Sequence, residues 1–124
     1  MKELRNERMK ESVIKIKSYQ FSLRIIKLYK HLVEDKKEFV LSKQILRSGT
    51  SIGANIEEAS GAQSKKDFIA KFHISLKEAK EVHYWLRLIK DSEYVEATLA
   101  DSFIKDCDEL IIIMTSILKS SKIT

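Results

Sequence analysis

Between Gln44 and Ala59 the chain reads Q-I-L-R-S-G-T-S-I-G-A-N-I-E-E-A, and its polar residues are spaced to act together. On a helix, Gln44, Ser48, Ser51, Asn55 and Glu58 form one line, with Leu41, Ile45, Ile52, Ile56 and Ala59 beside it at near-core spacing. Buried amides, hydroxyls and carboxylates are costly unless hydrogen-bonded. The line therefore has two readings: a groove that contacts a ligand, or an interhelical hydrogen-bond network that fixes register. The network is favoured, because polar groups beside a bundle core commonly serve one. In it Glu58 would accept from a hydroxyl, an amide or an arginine, and Arg47 would pair with Glu58 or reach a neighbouring subunit. Gly49, Gly53 and Ala54 keep the helix thin. An internal glycine is disfavoured by roughly 1 kcal/mol relative to alanine, so a neighbour that approaches closely is expected there.

Enzyme chemistry finds less support. Di-iron bundles need Glu-x-x-His on two helices. Leu28, Ala70 and Lys80 stand three residues before His31, His73 and His83, so that pattern is missing. Glu57, Glu58, Glu78 and Glu81 raise the thought of a magnesium-dependent nucleotide hydrolase, with carboxylates converging from two helices. Structural carboxylates on helices are far commoner, and no phosphate-binding loop or nucleophile–base grouping is legible. The one cysteine, Cys107, falls on an apolar face and reads as a small buried hydrophobe. The expectation is a protein without catalysis, metal or cofactor.

Basic residues are more suggestive. Lys17, Arg24 and Lys27 share one helical arc with Gln20 and His31; Lys10, Lys15 and Lys30 lie near it, and Lys43, Arg47, Lys65 and Lys66 add charge further on. Residues 1–37 hold eleven Lys/Arg against five Asp/Glu, a balance of +6 in a chain of net +5, while residues 96–124 hold three against five. That asymmetry suits either a polyanion-binding surface or complementary packing of the first helix near the last. The candidate nucleic-acid contacts are Lys17, Arg24, Lys27, Lys30, Lys43, Arg47, Lys65 and Lys66. They would act on phosphates without base readout, since no helix-turn-helix, zinc finger or aromatic RNA-binding sheet is present. The competing expectation is an oligomeric scaffold that binds a protein partner, its basic arc a solvated face.

Long helices must carry these residues. The chain has 124 residues, no proline and three glycines, with abundant Lys, Glu, Leu, Ile and Ala, which points to one all-α domain. Apolar periodicity predicts helices over about 11–33, 41–60, 64–90 and 97–119. Ser64 should cap the third, with Asp67 completing a capping-box variant. Short connections imply an antiparallel up-down-up-down four-helix bundle. No apolar run could span a bilayer, so a cytoplasmic protein without membrane contact is expected.

The first helix is too apolar for a monomer. Ile14, Phe21, Ile25, Leu28, Tyr29 and Leu32 form a core stripe, yet Ile16, Tyr19, Leu23, Ile26 and Val33 form a second. On the fourth helix Ile112 and Ile113 likewise fall off the core face. Apolar area beyond what one core can bury marks an interface. Self-association through Ile16, Tyr19, Leu23, Ile26, Ile112 and Ile113 is the expectation.

The Gln44–Ala59 segment resembles the family of four-helix-bundle or 23S rRNA-intervening-sequence proteins, whose hallmark is Q-x-x-R-x-x-x-S-I-x-x-N-I-x-E-G. Gln44, Arg47, Ser51, Ile52, Asn55, Ile56 and Glu58 match it, and Ala59 replaces the final glycine. Phe68, Leu76, Ala79, Glu81 and Leu86 extend the likeness downstream. The resemblance implies a bundle encoded in insertions of bacterial 23S rRNA genes and elsewhere, assembled as a homopentameric ring. It also implies kinship with accessory proteins of diversity-generating retroelements, which bind nucleic acid and a reverse transcriptase.

Overall fold

The computed structural model describes residues 2–121, and all of its regular structure is helical: α1 (Lys2–Glu34), α2 (Leu41–Ser60), α3 (Lys65–Asp91) and α4 (Ala97–Ser121). Among the described residues α1 packs on α2 and α4, and α3 on α2 and α4, with no diagonal contact. The helices thus form a square, and the short connections make successive members antiparallel.

Several helix ends differ from the periodicity, most of all the first. α1 begins at Lys2 rather than near Glu11, while α3 and α4 run slightly further, to Asp91 and Ser121. Residues 2–10 hold only good or tolerant helix formers, and Glu7 and Lys10 pair at 3.3 Å across one turn. Propensity carries the helix on where the core stripe has stopped.

The turn before α2 is built by a residue whose role spacing does not disclose. Buried Glu38 accepts from the backbone N–H of Ser42 (2.7 Å) and Val40 (3.2 Å), and the Ser42 hydroxyl donates to the Glu38 carbonyl at 2.8 Å. The carboxylate thereby satisfies two free N–H groups at the start of α2, where a negative charge also complements the helix dipole. Ser64 caps α3 as its position predicts, its hydroxyl accepting from Asp67 N–H at 3.0 Å.

The core is one apolar cluster with residues from all four helices, including Phe21, Ile25, Ile52, Phe72, Leu86, Phe103 and Met114. Its few polar groups are occupied. The Ser75 hydroxyl donates to Ile52 O (2.8 Å) and touches Met114 Sδ (3.2 Å), tying α3 to α2 and α4. Cys107 Sγ donates to Ala79 O at 3.2 Å, and burial pushes its thiol pKa up to about 12. Gly49 is explained by its neighbour: a Cβ there would sit 2.8 Å and 2.9 Å from the two γ-carbons of the fully buried Ile25.

Candidate nucleic-acid interface

The arc on α1 is only partly open to solvent. Lys17 pairs with Glu109 of α4 at 2.5 Å. The Arg24 guanidinium bonds to Asp106 and, at 3.0 Å, to Ser102, and lies 4.1 Å above the centre of the Phe103 ring. Of the two explanations for the charge asymmetry, the structure gives Lys17 and Arg24 to helix packing. Hydrogen bonding to Glu109 raises the Lys17 pKa above 10.5, because the charged form is the one that is bonded. Lys27 and Lys30 remain exposed, and neither has a carboxylate partner among the described residues.

The polar line of α2 also differs from the expected network. Ser48 and Ser51 donate to the carbonyls of Gln44 and Arg47, both at 2.6 Å, and Asn55 donates to Ser51 O at 2.8 Å. These bonds turn back into their own helix, an outlet that short polar side chains always have and that competes with partners on a neighbour. Glu58 pairs across to Lys71 (3.0 Å), not to Arg47. Arg47 instead reaches α3, bonding to Glu78 (3.1 Å) and Glu81, with Gln44 Oε1 at 3.4 Å. Trp85 Nε1 donates to Glu81 at 3.0 Å and completes the cluster. The polar contacts across this seam are therefore those of Arg47 and Lys71 at the surface and of Ser75 in the core.

Those pairings also place the four glutamates weighed as metal ligands. Glu78 and Glu81 face Arg47, Glu58 faces Lys71, and Glu57 lies 3.9 Å from Lys15. Among the described residues no three His, Cys, Asp or Glu side chains group as a metal site would. Lys43, Lys65 and Lys66 are exposed.

Five of the six residues read as an association surface stand out in solvent: Ile16 (59% exposed), Tyr19, Leu23, Ile26 and Ile112 (69%). Met9 and Val13 extend that face toward the start of α1. Ile113 does not belong with them, because it is partly buried and packs on the core. Val33, on the second stripe, is also only partly exposed.

A profile described as 23S rRNA-intervening sequence protein matches residues 10–116, nearly the whole bundle. The chain belongs to that family. A crystal structure of a protein of unknown function from the S23 ribosomal protein family of Bacteroides thetaiotaomicron is 54% identical, covers 89% of this chain and 98% of its own, and superposes with a TM-score of 0.88. No curated protein gives a match. Within the Gln44–Glu58 segment Arg47, with Gln44 beside it, meets Glu78 and Glu81 on α3, and Glu58 meets Lys71. No described helix is long and apolar enough to cross a membrane.

Proposed function

We propose that this family member is a non-catalytic, cytoplasmic, self-associating bundle that binds nucleic acid through the phosphate backbone. The observation that carries the reading is where the ion pairs fall. Lys17, Arg24, Arg47, Lys71 and Lys90 meet their carboxylates along the seams between helices. Lys27, Lys30, Lys43, Lys65 and Lys66 are exposed and meet no carboxylate among the described residues. The excess positive charge is thus displayed outward, as a polyanion partner requires. The apolar outer face of α1 supports assembly into an oligomer, the homopentamer of the family being the expected size. Assembly would multiply each cationic surface and raise affinity through several contacts on one strand.

Binding of RNA and DNA by the purified protein, measured across a salt series, tests the reading. The expected result is sequence-indifferent binding that weakens steeply with salt. Absence of binding even at low salt would overturn it and leave a scaffold for a protein partner, to which the same apolar face is suited.

A further inference from the structure

The outer crest of α3 carries a feature that segment charges conceal. Lys66, His73, Lys77, Lys80, Tyr84 and Arg87 recur at steps of seven, four, three, four and three residues, which on a helix is a single straight line. All six are exposed, and none of the exposed residues from Lys65 to Lys90 is acidic. From Lys66 to Arg87 the line runs about 32 Å at the rise of an α-helix.

The acidic residues of α3 and its neighbours are drawn aside. On the α2 side Glu78 and Glu81 are held by Arg47. On the α4 side Asp108 is held by His83 at 3.0 Å and Asp101 by Lys90 at 2.8 Å. Among the described residues Lys66, Lys77, Lys80 and Arg87 have no carboxylate in ion-pair range. Arg87 donates from Nε to His83 Nδ1 at 3.2 Å. Within this row Tyr84 is 47% exposed, its ring braced edge-to-face on Trp85 at 5.1 Å, with Arg87 5.6 Å from its centre.

We infer that this crest is a track for one single-stranded nucleic acid, its phosphates on the four cations and a base stacked on Tyr84. The proposal deepens the nucleic-acid reading above and rests on it. A cationic line interleaved with an aromatic ring is the arrangement by which proteins hold single strands irrespective of sequence. Its narrowness selects against a duplex, whose second strand would lie over the carboxylates of the two seams. The crest is also separate from the apolar face: α3 sits diagonally across the square from α1.

Fluorescence anisotropy with short oligouridine and oligothymidine strands, and with a duplex of equal length, tests the assignment. Lys66→Gln/Lys77→Gln/Lys80→Gln removes three side chains with no bonded partner in the structure, so the fold should persist, as circular dichroism will show. Its slope of log affinity against log salt should flatten by about 2, at roughly 0.7 per lost single-strand contact. The charge-matched Lys27→Gln/Lys30→Gln/Lys43→Gln variant should flatten it less. Tyr84→Leu should weaken single-strand binding about tenfold, in the range of a lost base stack, and leave duplex binding unchanged. Equal losses in the two triple variants, or a Tyr84→Leu protein that binds single strands like wild type, would overturn the α3 track while nucleic-acid binding stands. A wild-type protein that binds neither strand nor duplex removes both readings.

Discussion

At the scale of single residues, Gly49 and Gly53 look alike in sequence and differ in what they do. Alanine gains roughly 1 kcal/mol over glycine inside a helix. At Gly49 the added methyl would press on a buried, branched Ile25 side chain with little room to turn, and overpacking of that kind costs about 1–3 kcal/mol. At Gly53 it would meet Ser18 O and Ser22 Oγ at 3.4 Å, an ordinary contact. Gly49→Ala should therefore lower the melting temperature, and Gly53→Ala should leave it unchanged or raise it. Equal effects at the two positions would show that the close approach at Ile25 does not constrain the helix. The same scale explains why the polar line misled: spacing shows that Ser48, Ser51 and Asn55 share a face, but a serine can always bond its own helix, and here it does.

Between elements, the α1–α4 seam is the sparsest of the four, and the Lys17–Glu109 and Arg24–Asp106 pairs cross it. Arg24 spans it with its planar head on Phe103 and its donors on Asp106 and Ser102, and the Phe21 and Phe103 rings meet edge-on at 6.5 Å below. Replacing Arg24 by alanine removes a stacked cation and the stem that covers the ring, a loss of about 1–2 kcal/mol. Lysine keeps the charge but not the stack, so Arg24→Lys should recover only part of the stability. Chemical denaturation of the three proteins checks this. Full stability in Arg24→Ala would return Arg24 to the role of a free surface cation.

Whole-molecule behaviour follows from the remaining seams and the outer face of α1. Lys17, Lys71 and Lys90 each have a pKa raised above 10.5, chiefly because Glu109, Glu58 and Asp101 respectively accept a hydrogen bond from the charged amine. A raised folded-state pKa means that the native protein holds the proton more tightly than the unfolded chain. The stabilisation is thus complete below 10.5 and lost as pH climbs through the higher native values. Melting temperatures followed into strong alkali should fall less steeply in a Lys17→Gln/Lys71→Gln/Lys90→Gln variant than in wild type. A parallel decline would mean that these pairs do not couple to folding. For assembly, Leu23→Glu puts a charge on the apolar outer face. It should dissociate the oligomer, read by light scattering against the 14.4 kDa chain, while helical circular dichroism is retained. A wild type that is itself monomeric at every concentration would remove the self-association reading.

The sequence alone determined the helices and their antiparallel order, because a chain without proline and with regular apolar periods has few other ways to bury its core. The Gln44–Glu58 pattern also identified the family, and Ser64 with Asp67 marked the start of α3. Only the tertiary structure decided which charges are spent inside the protein and which are left for partners. Lys17 and Arg24 on α1 and Lys77 and Lys80 on α3 are indistinguishable as letters. Their fates separate because Glu109 and Asp106 lie across the first seam, whereas the crest of α3 faces no helix at all. Arg47, about three turns along α2 from Glu58 and so out of its reach, found Glu78 and Glu81 for the same reason: a helix fixes the direction of each side chain, and packing fixes what stands in that direction.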